Sequence, residues 1–431
     1  MTKIVVIGGG FAGVTTAYYL AKEGLFVELH ESSKVIGGRT KSFYNESTLD
    51  WYDNGQHLII KGYSNTLKFF RDTGTLNNFH SLKNPYVDFC FNDSSIKRFY
   101  LKPTLLNLLN NIKFNNSSYF ENINLFKFLF KVKDINEKNF RYKLCSDFLK
   151  EFNQSENLIN NFWKIFIEST LNTSLEESDA SIFITILKKM FFEDKNNSSL
   201  IFNNSDFYND FFFNIEKLLK ALNVCIRTNS VINKVEIQNG KIISIKNVNG
   251  DHINADIFVF AIPFWSLEKI FSENYQFVKL IKNLETNSIL NVHIWFKDYR
   301  PIRKFIALWG SEFHWVFFNQ RHITVVKSVA KDLVELKNEK LLDLVISELS
   351  RYDILLERSN ILDYKILRER RATFKSNSGS IFSRPDNKTE IKNLFIAGDF
   401  TNTNLPSTIE SAVTSGMKCA KLILESLSQL V

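Results

Sequence analysis

The residues best placed to do chemistry lie at the two ends of the chain. Gly8, Gly10 and Gly13 follow a β-branched run, Ile4–Ile7, and open a helical pattern that runs through Leu20, with Phe11 and Ala12 at its start. A second strand, Leu25–His30, ends on Glu31, 18 residues beyond Gly13. The spacing has a mechanism. Gly8 permits a sharp turn, Gly10 lets backbone approach a pyrophosphate, and Gly13 lets helix and strand pack closely. The free N–H groups of the helix start face the phosphates, and Glu31 accepts the ribose hydroxyls. Isolated glycines at this spacing say little, but between a strand and a helix, with an acid at the right distance, they specify a dinucleotide site.

Three further segments add polar groups. Gly37-Gly38-Arg39-Thr40 supplies a second close-approach loop with a fixed cation for phosphate. Asp53-Asn54-Gly55-Gln56-His57 is a tight polar turn, and a hairpin corner does not need Gln-His behind Asn-Gly. Near the other end, a strand Asn393–Ala397 turns at Gly398-Asp399, and after Pro406 a helix begins near Thr408-Ile409-Glu410. Asp399 can hydrogen-bond hydroxyls beside a pyrophosphate, and the helix start can stabilise negative charge.

These loops require a scaffold of alternating strands and helices. Of the 16 glycines, eight fall within the first 55 residues, whereas most of the middle is glycine-poor. A cofactor site built from both chain ends, with the middle mounted on top, fits that distribution. Between them, "IRTNSVINKVEIQNGKIISIKNVNGDHINADIFVFAIP" reads as a β-meander with turns at Asn239-Gly240 and Asn249-Gly250. The Asn- and Ser-rich patches Asn115–Ser118 and Asn196–Asn204 read as loops.

Composition narrows the class. The 431 residues suffice for two domains and a large core. Phe is abundant at 41 copies, for which biased coding composition is the simplest account, with core packing the bland reading for Phe162, Trp163, Trp295, Trp309 and Trp315. The net charge of +8 comes from dispersed basic residues without a nucleic-acid module, so a solvated surface is the first reading and attraction to an anionic membrane the second. No apolar run reaches the ~18 residues of a membrane span, and the amino terminus reads as a strand instead of a signal peptide, which points to the cytoplasm. Cys90, Cys145, Cys225 and Cys419 have no paired spacing and the seven His residues form no cluster, so neither disulfide nor metal is expected. Leu101–Phe114 and "LFKFLFKV" at Leu125–Val132 mix large apolar residues with Lys; they suit core packing, or else an amphipathic surface on the inner face of a membrane.

Taken in order, the dinucleotide unit, the Gly-Gly-Arg loop and the DNGQH turn resemble the flavin-dependent amine oxidase and phytoene desaturase superfamily. The resemblance implies FAD as cofactor. It places Gly55, Gln56 and His57 against the isoalloxazine ring, Val231 against adenine through its backbone, and the "AGD…TIESAVTSG" pair as the closing flavin motif. His57 invites a general-base role, yet ring packing or hydrogen bonding serves equally, and the catalytic residues stay unassigned. "DNGQHLIIKGYSNTLKFFRDTGT", "LNTSLEESDASIF", "RERRATF" and "LPSTIESAVTSG" look like the hydroxysqualene dehydroxylase branch, over Lys3 to about Leu422. Asn196–Phe213 departs from that branch, lacking Gly and Pro.

The implied fold is an α/β, glutathione-reductase-like FAD-binding Rossmann domain with an inserted α+β substrate domain. The FAD part comprises residues 1–75, 221–265 and 376–431, and the substrate part 76–220 and 266–375, with helices in the first insertion and a sheet in the second. The implied activity is reductive removal of an allylic hydroxyl from a long isoprenoid lipid, fed by an electron donor the sequence does not identify. A carotenoid-type desaturase or isomerase, an amine oxidase and a noncatalytic FAD-binding lipid carrier are the competing readings.

Overall fold

A computed structural model describes residues 2–82, 84–102, 104–111, 114, 119–354 and 357–429; the predicted loop Asn115–Ser118 and part of Leu101–Phe114 lie outside them. Five parallel strands form the central sheet in the spatial order Cys225–Arg227, Phe26–His30, Lys3–Ile7, Ile257–Phe260, Leu394–Ile396. By chain order this is 3-2-1-4-5, the doubly wound arrangement that opens a ligand crevice at the carboxyl ends of its strands. The continuous Ile-Val-Val-Ile run suits the innermost strand, where Ile4, Val5 and Val6 have no exposed surface, because apolar layers cover both faces of the sheet.

Helix Phe11–Lys22 lies across the carboxyl-terminal helix Ile409–Ser428. A Cβ on Gly416 would come within 2.5 Å of the Ala12 carbonyl oxygen and 2.8 Å of Thr15 Cβ, so hydrogen is the only side chain that fits the crossing. Thr16 Oγ1 also donates to the Gly416 carbonyl across it. Gly416→Ala is expected to lower unfolding stability by about 1–3 kcal/mol through overpacking, read as a lower urea midpoint with an unchanged slope.

The meander forms as its turns dictate: Ile232–Gln238 pairs antiparallel with Lys241–Asn247, and Gln238 faces Lys241 across Asn239 and Gly240. Both turn residues have positive φ, 52° and 70°, the geometry of a two-residue hairpin loop.

A seven-stranded sheet carries the second half of the molecule, in the order Ile361–Phe374, Thr286–Phe296, His322–Ser328, Trp315–Phe318, Phe305–Leu308, Tyr86–Cys90, Ile96–Tyr100. It is therefore not confined to the second insertion: the first contributes Tyr86–Cys90 and Ile96–Tyr100, and Tyr86–Cys90 joins Phe305–Leu308 in parallel. Asn196–Asn204 is also not wholly a loop. Leu200–Asn203 is a strand paired with Phe79–Ser81 and Ile59–Ile60, because its Leu-Ile-Phe core outweighs the flanking Asn residues. Helix Tyr119–Val132 buries Leu125, Phe128 and Val132 while Phe120 and Phe130 stay exposed. Among the described residues no helix is long and apolar enough to cross a membrane.

Candidate functional site

The first glycine turn sits where the first strand meets its helix. Gly10 precedes the helix without a side-chain cap, and the first turn carries no acid, so its N–H groups are open to an anion. Phe11 and Ala12 are buried, Phe11 stacking on Phe211 at 4.9 Å, so their side chains belong to the core. The second glycine loop closes over the first: Gly37 N–H donates to the Gly9 carbonyl, and a Cβ on Gly38 would stand 3.0 Å from Gly10 Cα. Thr40 Oγ1 ties this loop by donating to the Gly37 carbonyl.

Glu31 stands beside the turn with both oxygens engaged. It accepts from Gly9 N–H at 2.7 Å and from Ser33 N–H at 2.8 Å, so it clamps the first glycine loop. Ser230 N–H donates to the Glu31 carbonyl, which brings the neighbouring Val231 to the same strand end; the Val231 carbonyl accepts from Val248.

Arg39 and Asp399 meet across 360 residues at 2.5 Å, and Arg39 donates also to the Ala372 carbonyl. Burial pushes the Asp399 carboxyl up, but the Arg39 cation and the bonds from Arg39 and Ser407 outweigh it and hold it below its usual range. Sequence reasoning missed Arg384, only 4 % exposed, whose guanidinium donates to the carbonyls of Asp399, Thr401 and Leu405 and so shapes the loop after Gly398. Burial lowers its pKa to about 10. An Arg before Pro385 in an otherwise polar loop was the one available signal.

Thr408 caps the carboxyl-terminal helix, its hydroxyl accepting from Ser411 N–H, with Ile409 as first helical residue. Glu410 turns away: its fully buried carboxylate accepts from Thr66 N–H and Thr66 Oγ1, capping helix Ser64–Asp72. Glu410 thus spends its hydrogen bonds on the neighbouring helix and not on the N–H groups of its own.

The DNGQH turn is held at both ends. Asp53 accepts from Ser42 Oγ at 2.6 Å and Phe207 N–H at 3.0 Å, and burial pushes its pKa to about 7. Asn54 donates to the Arg39 carbonyl, and its own carbonyl accepts from Asn291 Nδ2 at 3.2 Å. Gly55 rests on the Asn291 carboxamide, where a Cβ would come to 3.2 Å of Nδ2. Gln56 is half-buried, and the His57 ring stands edge-on to Phe207 with its Nε2 buried and unpartnered. Burial, then the field of Arg39, lowers the His57 pKa to about 4. Between pH 6.5 and 4 the unfolded chain takes up a proton that native His57 refuses, so stability falls as pH falls through this window. His57→Phe is expected to show a shallower decline of urea midpoint from pH 7 to pH 4 than the parent.

Uncapped N–H groups, two glycine loops too close for side chains and an orphaned imidazole nitrogen beside the polar turn are a fit for FAD: anion donors at one end, a polar ring edge at the other. The class follows. The family described as flavin containing amine oxidoreductase matches residues 11–424, and the chain belongs to it. It is an FAD-dependent oxidoreductase.

Among its relatives is a Hydroxysqualene dehydroxylase of Zymomonas mobilis, 24% identical over 98% of this chain and 99% of the relative. A 15-cis-phytoene desaturase of Solanum lycopersicum is 24% identical over 100% of this chain and 79% of the relative. Both fall in the superfamily the sequence resembles. Wild-type putrescine oxidase bound to putrescine superposes with a TM-score of 0.76 at 12% identity, covering 98% of this chain and 99% of that one. An oxidoreductase from Methanosarcina mazei gives 0.74 at 14%, covering 98% and 100%, and both share the fold.

Proposed function

We propose that this protein reductively dehydroxylates a long isoprenoid alcohol, hydroxysqualene, to the hydrocarbon and water. The observation that carries the reading is the end-to-end likeness to a hydroxysqualene dehydroxylase, 99% of which is matched, against 79% of the phytoene desaturase. Amine oxidation, which often uses a lysine beside the flavin, is less well supported, since the substrate-sheet side chain against the DNGQH turn is the neutral Asn291.

In this reading residues 1–75, 221–265 and 376–431 hold the cofactor, and 76–220 and 266–375 hold the lipid. Gly8, Gly10 and Gly13 with the N–H groups of Phe11 and Ala12 receive the pyrophosphate, Glu31 the ribose and Val231 the adenine. The Gly37–Thr40 loop closes over them, with Arg39 steering phosphate while bound to Asp399. Gly398 and Asp399 face the ribitol, Gly55, Gln56 and His57 the ring, and the helix start at Thr408 and Ile409 its negative edge. When bound in the reduced state, FAD supplies hydride to the allylic carbon. The protein's share is to orient a hydrocarbon against that site, exclude water and present aromatic faces to developing positive charge.

Exposed Leu106, Leu109, Phe120 and Phe130, with Lys127 and Lys131 alongside, support entry of the lipid from a membrane surface touched peripherally from the cytoplasm. The electron donor is a partner still to be identified.

The test is an anaerobic single turnover. Protein with its flavin chemically reduced is mixed with hydroxysqualene in detergent, following flavin absorbance and the lipid by mass spectrometry. Stoichiometric flavin reoxidation with formation of squalene is expected. Flavin that stays reduced, with no squalene from folded, FAD-loaded protein, refutes the reading.

A further inference from the structure

Strand Thr286–Phe296 presents two unsatisfied polar atoms on the face that meets the DNGQH turn. Asn291 and His293 are each 2 % exposed, and Asn291 Oδ1 and His293 Nε2 are buried without a partner. Residues two apart on a strand share a face, with about 6.8 Å between their Cα atoms.

The surrounding bonds determine what each atom offers. Asn291 Nδ2 points at the Asn54 carbonyl, which can only accept, so the amide oxygen is the free end and is an acceptor. His293 Nδ1 lies 3.0 Å from Thr324 Oγ1. Thr324 Oγ1 already accepts from Asn319 Nδ2 at 2.8 Å, and the side chain is 1 % exposed, so its hydroxyl proton goes to His293 Nδ1. Asn319 Nδ2 is also 3.0 Å from His322 Nε2, and His322 Nδ1 is 2.9 Å from Asp50 Oδ2, which orients the network consistently. The His293 ring proton then sits on Nε2. Burial, then the neighbouring His322, holds its pKa well down, so the ring is neutral and serves as a donor, not as a source of protons.

One free acceptor and one free donor therefore lie two residues apart on one strand, with Tyr52 at 5.0 Å from the His293 ring and 5.4 Å from Trp295. A hydrocarbon can satisfy neither. An alcohol satisfies both, because its O–H donates and its oxygen accepts. We propose that Asn291 and His293 form a hydroxyl-recognition pair, in which Asn291 Oδ1 accepts the substrate O–H and His293 Nε2–H donates to the same oxygen. This rests on the dehydroxylase reading for the identity of the substrate but applies to any isoprenoid alcohol. It makes alcohol recognition a property of the substrate sheet, and His293 a polarising contact on the departing oxygen.

The experiment measures binding to the oxidised holoenzyme without reductant, so that no turnover intervenes. Two alcohol–hydrocarbon pairs, hydroxysqualene with squalene and farnesol with farnesene, are titrated in detergent by calorimetry, with FAD content recorded. Wild type is expected to prefer each alcohol by about tenfold or more, since the hydrocarbon leaves buried polar atoms unpaired. Asn291→Ala and His293→Phe are expected to bring the ratio to about one while FAD content and hydrocarbon affinity hold. Thr324→Val, nearly isosteric, removes only the hydroxyl that sets the His293 tautomer and is expected to reduce the preference severalfold; it carries the test if the other variants fail to fold. No alcohol preference in wild type, a preference that survives all variants, or loss of FAD in place of loss of preference overturns the pair. If hydroxysqualene fails the single turnover yet the farnesol preference persists and depends on these residues, the dehydroxylase reading falls and the recognition pair stands.

Discussion

Protein carrying Gly13→Ala is expected to purify almost free of flavin. A Cβ at this position would lie 1.8 Å from the Gly8 carbonyl oxygen and 3.2 Å from Ala261 Cβ, and the first of these is backbone that no rotamer change can move aside. Relief requires the helix Phe11–Lys22 to lift from the strand Lys3–Ile7. That displaces the N–H groups proposed to receive the pyrophosphate and disturbs the crossing with the carboxyl-terminal helix at Gly416. The overpacking cost is about 3 kcal/mol or more. Flavin absorbance relative to protein absorbance in the purified variant checks it, with a fall of about tenfold or more expected, each factor of ten being ~1.4 kcal/mol of binding. Flavin content equal to wild type would mean that the phosphate turn is not where the cofactor is held.

The second large effect is expected from Asp399→Asn. Asp399 is 5 % exposed and receives Arg39, Ser407 and the influence of Arg384, so its charge lies between two buried or half-buried cations, with Glu369 also acting on Arg39. Neutralising it removes the carboxylate that Arg39 is hydrogen-bonded to, which costs on the order of 3 kcal/mol for a buried pair; Arg39 keeps about a third of its side chain, 35%, in solvent and still feels Glu369, which favours the lower end of the range. The pH dependence has a definite sign. The native carboxyl titrates below its unfolded value, so its stabilisation is complete above the ordinary Asp pKa of about 3.9 and is lost as pH falls through the lowered native value. Urea midpoints measured from pH 7 to pH 2 should therefore be lower for Asp399→Asn at neutral pH and converge on the parent at the acid end. A constant offset across that range would assign the loss to packing and not to charge.

The two chain ends were readable because each motif is made of neighbours. Gly8 to Glu31 forms strand, turn, helix and strand within one contiguous stretch, and the tightest contact at Gly13 is with the Gly8 carbonyl five residues before it, although Gly8 itself is crowded by the distant Ala261 carbonyl. Gly37–Thr40 and the Asn239-Gly240 hairpin were legible for the same reason. Where composition was allowed to outvote pattern, the reading failed: the Asn residues around Leu200–Phe202 masked a buried strand, and the first insertion hid two strands of the large sheet.

Hydrogen-bond direction was decided elsewhere. Glu410 belongs by sequence to the first turn of its own helix, yet its carboxylate serves Thr66, 344 residues away. Arg39 looked like a phosphate ligand, and the fold gives it Asp399 first. Asn291 and His293 belong to an ordinary-looking strand whose alternation says only that they share a face; which face meets Gly55, and that both are left with an unused polar atom, depends on register against Thr324 and on the turn laid over them. Local sterics and backbone conformation are written in contiguous residues and made the cofactor and fold class evident from the chain alone. The partners of a buried polar atom are chosen by sheet register and layer packing, so the ion pairs and the unpartnered atoms of Asn291 and His293 emerged only once the distant strands were brought together.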